Sequence, residues 1–109
     1  MAKLIGRFYF KRTTNGNLIG EFSSNLDSKI YTESADKKKK SNSSSFLGKY
    51  LSTWLNYDDP IIADLDISYK YIRKSTVYKL KWKIIGDNII YQGEGMLCDD
   101  ILIGNYREV

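Results

Sequence analysis

The residues of this chain that could carry out chemistry are few and widely spaced. Histidine is absent and cysteine occurs once, at Cys98. This composition excludes catalysis by a serine–histidine or cysteine–histidine pair, zinc sites with histidine ligands and histidine-ligated haem. Because Cys98 is followed by Asp99 and Asp100, whose carboxylates disfavour a thiolate, we interpret it as a structural residue. One cysteine cannot form an intrachain disulfide, which agrees with a reducing compartment.

Two acidic pairs and one run of lysines are the other clusters of charge. Asp58-Asp59 and Asp99-Asp100 fall in separate turns, and turn formation explains each pair. No calcium-loop spacing is present, so we expect no metal and no cofactor. Lys37 to Lys40 lie in the polar stretch 34–45, which we expect to be a mobile loop. Because that stretch lacks aromatic side chains on which bases could stack, we expect a solvated loop rather than one that binds nucleic acid.

The composition indicates a single soluble domain. The chain has 109 residues and a net charge of +4, and the lysine run accounts for that excess charge. No apolar run approaches the ~20 residues of a membrane span. The residues after Met1 also lack the apolar region of a signal peptide. We therefore expect one domain over 1–109 and a cytoplasmic location, without membrane contact.

Strands are the elements that must position any site. Turn signals recur roughly every ten residues, and between them apolar and polar side chains alternate. We predict eight strands, at 4–12, 17–24, 28–34, 46–56, 61–71, 76–85, 88–97 and 100–107. Short connections favour sequential antiparallel pairing, and closure of the last strand on the first removes exposed edges. The sequence therefore predicts an all-β fold, an eight-stranded antiparallel up-and-down barrel.

The predicted inward face combines aromatic side chains with glycine. The alternation is sharpest over 61–71 and 76–85, where Asp, Ser and Lys occupy the opposite face. The inward-facing glycines are Gly6, Gly48, Gly93, Gly95 and Gly104. These glycines have two interpretations: they permit the bends that barrel closure needs, or they leave space for an internal ligand.

The spacing of these residues resembles a known superfamily. Gly48-x-Tyr50-x-Ser52-x-Trp54 resembles the glycine-aromatic opening of strands in calycins, which include lipocalins, fatty-acid-binding proteins and avidins. Three further motifs are similar to the closing half of small bacterial calycin-like proteins: Tyr78-x-Leu80-x-Trp82, Tyr91-x-Gly93-x-Gly95 and Leu102-x-Gly104-x-Tyr106. The resemblance covers 46–107 and implies an up-and-down barrel able to hold an internal ligand. It does not imply which ligand.

The leading functional hypothesis is a non-enzymatic barrel that binds an apolar or aromatic small molecule inside. Four aromatic residues map near one end of the barrel and are expected to plug it: Trp54, Trp82, Tyr91 and Tyr106. The candidate ligand-binding residues are Phe10, Arg12, Tyr50, Ser52, Tyr69, Tyr71, Tyr78, Gly93 and Gly95. A ligand would enter at the opposite end, under the loop at 34–45, where Arg12 could meet an anionic head group.

The main alternative is a filled barrel that associates with copies of itself. Several apolar side chains are predicted to point outward from the first, fourth and eighth strands: Ile5, Tyr9, Leu47, Leu51, Leu55, Ile101 and Ile103. Exposed apolar clusters of this kind mark interfaces, so we expect a homodimer or a larger assembly. An enzyme using tyrosine, arginine or a carboxylate as acid or base is a third hypothesis, but no convergent acid–base pair is visible.

Overall fold

Eight strands form a closed antiparallel barrel in the computed structural model, which describes residues 3–39, 45–72 and 75–109. Each strand pairs with the next along the chain, and β8 pairs with β1. The strands are β1 (Ile5–Arg12), β2 (Leu18–Ser24), β3 (Ile30–Lys37), β4 (Gly48–Asn56), β5 (Asp59–Ile72), β6 (Ser75–Ile84), β7 (Ile90–Cys98) and β8 (Ile101–Glu108). The predicted all-β class, strand number, strand order and closure are confirmed. Among the described residues, no helix is long and apolar enough to cross a membrane.

The interior is packed by the apolar side chains that alternation had assigned to it. Seven strands contribute buried apolar residues, and β7 contributes glycine instead. The most deeply buried are Phe10, Leu18, Ala35, Tyr50, Ala63, Leu65, Leu80 and Leu102. Burial of this apolar surface is the main favourable term in folding.

The turn between β4 and β5 is tighter than the sequence indicated. Asn56 pairs with Asp59, and Pro60, which falls between the predicted strands 46–56 and 61–71, lies inside β5 opposite Leu55. Proline is tolerated there because pairing of β5 with β6 begins only at Ala63. The missing N–H of Pro60 therefore removes no hydrogen bond of the ladder.

The predicted loop over 34–45 is shorter than expected, because its first residues extend β3. Ser34 to Lys37 belong to that strand. The backbone N–H of Lys37 donates to Asn17 Oδ1 at 3.0 Å, and that of Lys38 donates to the Lys49 carbonyl at 2.9 Å. The central part of the predicted mobile segment, residues 40–44, lies outside the described residues.

The glycines of β7 and β8 permit close approach of neighbouring chain segments. A Cβ atom on Gly104 would lie 1.9 Å from the carbonyl oxygen of Glu94. A Cβ atom on Gly93 would lie 2.7 Å from the carbonyl oxygen of Asn105 and 3.1 Å from the Trp82 ring. The space beside these glycines is therefore filled by backbone and aromatic rings, which supports the interpretation based on barrel closure.

Candidate functional site

The two ends of the barrel differ in how they are closed. At the end that carries the β3–β4 connection, Phe46 is buried and its carbonyl accepts a hydrogen bond of 2.7 Å from the Tyr50 hydroxyl. The Phe46 ring also meets the Tyr78 ring at a centroid distance of 6.4 Å, and Tyr78 lies 5.0 Å from Tyr69. We call this the closed end.

The opposite end contains a cavity of about 260 Å³, which we call the open-end cavity. It lies among the β2–β3, β4–β5 and β6–β7 connections. Its wall is formed mainly by the aromatic residues Phe8, Phe22, Tyr31, Trp54, Trp82, Tyr91 and Tyr106. Leu26, Asp27 and Asn56, all exposed, line its mouth.

The aromatic wall is braced by contacts between its own rings. Phe22 stacks on Tyr31 at 5.2 Å between centroids and meets Trp54 edge-on at 5.6 Å. Trp82 meets Phe8 edge-on at 5.4 Å and Tyr106 at 6.0 Å. Offset and edge-on pairs of this kind add to the stabilisation from burial. The wall is therefore stabilised by packing among its own rings.

Glu33 is the one buried carboxyl group among the described residues, and it lines this cavity. It lies on β3 opposite Gly20 of β2 and Trp54 of β4. Only 5% of its surface is exposed. The indole N–H of Trp82 donates to Oε2 at 2.8 Å, and the Ser52 hydroxyl donates to the same oxygen. Among the described residues, no hydrogen bond to Oε1 accompanies these two.

Burial controls the protonation of Glu33. Loss of solvation raises its pKa from 4.5 to about 7, and the hydrogen bonds from Ser52 and Trp82 offset this only in part. Glu33 thus changes its charge near neutral pH. A carboxyl group tuned in this way inside a cavity is a candidate functional group.

The other acidic groups of the cavity do not titrate near neutral pH. The pKa of Asp27 is lowered, because the Tyr31 hydroxyl donates to Oδ2 at 2.7 Å and the Lys29 backbone N–H donates to Oδ1. The hydrogen bond to Asp27 raises the pKa of Tyr31 to about 12. Burial also raises the pKa values of Tyr91 and Tyr106.

Charges inside the barrel are separated along its length. The described lining of the open-end cavity includes two carboxyl groups, Asp27 and Glu33, and no lysine or arginine. Arg12 and Lys37 lie toward the closed end, where the Lys37 ammonium is 5.8 Å from the centre of the Tyr50 ring. A protein with an excess of positive charge therefore encloses an acidic cavity.

None of the predicted ligand-binding residues whose side chains are described belongs to the lining of this cavity. Phe10, Tyr50 and Ser52 are fully buried, Tyr69 and Tyr78 pair at the closed end, and Arg12 is half-buried there. Gly93 and Gly95 lie on β7, close to the Trp82 and Phe8 rings respectively. The side chain of Tyr71 lies outside the described residues. Ser52 is hydrogen-bonded to Glu33, which lines the cavity.

The end at which the cavity opens is the reverse of the predicted one. Trp54, Trp82, Tyr91 and Tyr106, expected to plug their end, form part of the cavity wall. Phe46 and Tyr50 fill the end that was expected to admit a ligand. Glu33, Tyr31 and Phe22 also line the cavity and are not among the predicted site residues. Alternation in Tyr31-x-Glu33-x-Ala35 was the available signal, because it places a glutamate on the inward face.

Comparisons with models of protein families, with curated proteins and with solved structures find no match. Within residues 3–39, 45–72 and 75–109, no group of three or more histidine, cysteine, aspartate or glutamate side chains is placed to hold a metal ion. The function must therefore be argued from the open-end cavity itself.

Proposed function

We propose that this barrel binds a small molecule with an apolar or aromatic body in the open-end cavity. The observation that carries the proposal is a cavity of about 260 Å³ that is walled by braced aromatic rings and reaches solvent at its mouth. Ligand sites in proteins are typically concave, mainly apolar and furnished with a few placed polar groups, as this one is. The resemblance of strands β4 to β8 to calycins, whose barrels hold ligands inside, supports the same proposal.

The size of the cavity limits the ligand. An apolar cavity of about 150 Å³ can hold benzene, and sites for drug-sized molecules begin near about 300 Å³. The open-end cavity, at about 260 Å³, lies between these values. It suits a molecule of one or two rings.

The position of Glu33 argues against a cavity left by imperfect packing. Burial of a carboxyl group costs free energy, and the raised pKa of about 7 shows that this cost is only partly offset by its hydrogen bonds. An apolar residue at this position would make the folded state more stable. A group retained against the stability of the fold is expected at a functional site.

Tryptophan fluorescence offers a direct test, because both tryptophans of the chain line the cavity. We expect benzyl alcohol to produce a saturable change in tryptophan emission. Ser24→Phe, which places a ring in the cavity, should abolish that change. Ser34→Phe, on the outer face of β3, should retain it. An unsaturable response, or an equal response in both variants, would contradict the proposal.

The native ligand can be sought separately by native mass spectrometry of the protein purified from its own host. A bound molecule present in the unmodified protein and absent from Ser24→Phe would identify the occupant of the cavity. A bound molecule retained equally by Ser24→Phe would place the ligand elsewhere and would count against the proposal.

A second candidate function is self-association through the outer face of β1, β7 and β8. Tyr9 pairs with Ile103, which pairs in turn with Met96, so three apolar side chains align across three strands. Ile103 and Met96 are 52% and 64% exposed. The neighbouring outward side chains carry both signs of charge: Arg7 lies on β1, and Glu21 lies on β2 opposite Tyr9. A two-fold interface requires such a self-complementary surface, so the proposed partner is a second copy of this chain.

The other outward residues predicted for this role are less available or lie elsewhere. Leu47 packs against the core and Ile101 is half-buried. Leu51 and Leu55 are exposed on β4, which is not paired with β1, β7 or β8. Ile5 is exposed on β1, four residues from Tyr9 along the same outer face.

A further inference from the structure

We propose that the ligand of the open-end cavity is a small organic cation, a protonated amine joined to a flat apolar body, whose N–H group donates to Glu33. This inference rests on the proposed function, because it assigns a charge to the molecule that the cavity would hold. It identifies a chemical class and leaves the particular amine to experiment.

The charges around the cavity select for a cation. Glu33 lies in its wall and Asp27 at its mouth, and its described lining contains no lysine or arginine. Beyond the lining, Asp87 and Glu108 add negative charge near Tyr91, which lies on the same wall, and the positive charge of Lys29 acts on Asp27. Since the chain as a whole has a net charge of +4, this local excess of carboxyl groups opposes the average charge of the molecule. An anionic ligand would meet repulsion at both the mouth and the wall.

The aromatic wall suits the same class of ligand. The faces of aromatic rings carry negative charge density and attract ammonium groups, most strongly at tryptophan. Trp54 and Trp82 both line the cavity, together with the rings of Phe22 and Tyr106. The flat body of an aromatic or cyclic amine can pack against these rings while its charge remains close to Glu33.

The hydrogen bonds of Glu33 leave one oxygen suited to an N–H donor. Ser52 and Trp82 both donate to Oε2 and hold the carboxyl group in one orientation. Oε1 receives no hydrogen bond from the described residues and, when Glu33 is ionised, can only accept. A protonated amine supplies a charge-assisted donor at this position. The Trp82 hydrogen bond, at 2.8 Å, also links the carboxyl group to the wall on which the ligand would pack.

Protonation of Glu33 distinguishes this ligand from a neutral one. A cation prefers ionised Glu33, so its affinity rises as the pH increases through about 7. A neutral ligand that presents a carbonyl group would prefer protonated Glu33 as a donor, and its affinity would fall over the same range. The other titratable side chains of the described lining are Asp27, Tyr31, Tyr91 and Tyr106. The pKa of Asp27 is lowered and those of the three tyrosines are raised, so none of them changes charge between pH 5 and pH 8.

Three matched probes test the inference: benzylammonium, benzyl alcohol and benzoate, which share a ring and differ in charge. Dissociation constants are measured by tryptophan fluorescence at pH 8 and pH 5. We expect benzylammonium to bind at least tenfold more tightly than benzyl alcohol at pH 8, and benzoate to bind most weakly. Benzylammonium should also lose at least tenfold in affinity between pH 8 and pH 5. This pH arm uses the unmodified protein and so does not depend on the folding of any variant.

Glu33→Gln provides the second arm, with Glu94→Gln on the outer face of β7 as its control. Glu33→Gln should bring the constants for benzylammonium and benzyl alcohol within about threefold of one another and remove the pH dependence, whereas Glu94→Gln should change neither. Equal binding of the two probes by the unmodified protein, or tighter binding of benzylammonium at pH 5, would overturn the cation inference and leave the proposed function standing. Failure of both probes to bind would overturn the proposed function itself.

Discussion

Glu33 links the stability of the fold to the chemistry of the cavity. In the folded protein its pKa is about 7, against an ordinary value of 4.5, because it is buried. The folded state therefore holds a proton over a pH range in which the unfolded chain has lost it. The free energy of unfolding has an extra contribution below pH 4.5, and this contribution is lost as the pH rises to about 7. A shift of this size corresponds to about 3 kcal/mol.

Replacing Glu33 with Gln should remove this pH dependence. Between pH 4 and pH 8 the unmodified protein is expected to lose about 3 kcal/mol more stability than Glu33→Gln. Urea unfolding at the two pH values measures the difference, with Glu94→Gln as the control for a carboxyl group on the outer face. Parallel pH profiles for the unmodified protein and Glu33→Gln would show that Glu33 is not held protonated by burial.

Trp82 and Trp54 should differ in their effect on Glu33, although both line the cavity. Trp82 donates to the carboxyl group, and that hydrogen bond lowers the pKa of Glu33. Trp82→Phe is therefore expected to raise this pKa further and to weaken benzylammonium binding at pH 8. Trp54→Phe, which removes no hydrogen bond to Glu33, should leave its pKa unchanged. Titration of the Glu33 carboxyl carbon by nuclear magnetic resonance measures this pKa in both variants. Equal changes of the pKa in Trp82→Phe and Trp54→Phe would contradict the assigned role of Trp82.

The β7–β8 pair depends on glycine for the approach of its two strands. A Cβ atom on Gly104 would lie 1.9 Å from a backbone oxygen of β7, whereas one on Gly95 would lie 3.0 Å from its nearest neighbour. We expect Gly104→Ala to lower the free energy of unfolding by roughly 1–3 kcal/mol or more, because the strands must separate. Gly95→Ala should lower the free energy of unfolding by clearly less. Urea unfolding of both variants tests this ranking, which equal losses would refute.

Alternation in the sequence assigned most of the strands and their inward faces, because side chains in a strand point alternately to opposite sides. The alternating pattern was least clear in β3, where the apolar content is low and the inward positions include Glu33 and Ala35. The end of that strand was consequently placed too early, and the buried glutamate was not assigned to the interior. The predicted fifth strand begins at 61 rather than at Asp59, because proline cannot donate to a strand ladder and the sequence does not show which side of Pro60 lacks a partner.

The location of the cavity could not be predicted from alternation. Alternation shows which side chains enter the barrel but not which end they fill, because that depends on how their volumes pack together. Phe46 determines which end is closed, because it covers that end through its contacts with Tyr50 and Tyr78. The aromatic residues at the opposite end pack against one another and leave space between them.

The proposed interface between copies of the chain can be tested on the whole molecule. We expect light scattering at high micromolar concentration to give a mass of at least a dimer. Ile103→Lys should shift the protein to a monomer, because it places a charge at the centre of the apolar row formed by Tyr9, Ile103 and Met96. Thr53→Lys, on the exposed outer face of β4, is the matched control and should leave the mass unchanged. A monomer in the unmodified protein would refute the interface.

The pKa of Glu33, measured by nuclear magnetic resonance with and without saturating benzylammonium, tests the central claim most directly. It reports on the cavity, on the carboxyl group and on the charge of the bound molecule in one titration. The free protein should show a pKa of about 7. On saturation, the pKa should fall by at least about one unit, since a cation beside the carboxyl group stabilises its ionised form. An unchanged or higher pKa in the presence of bound benzylammonium would contradict the account.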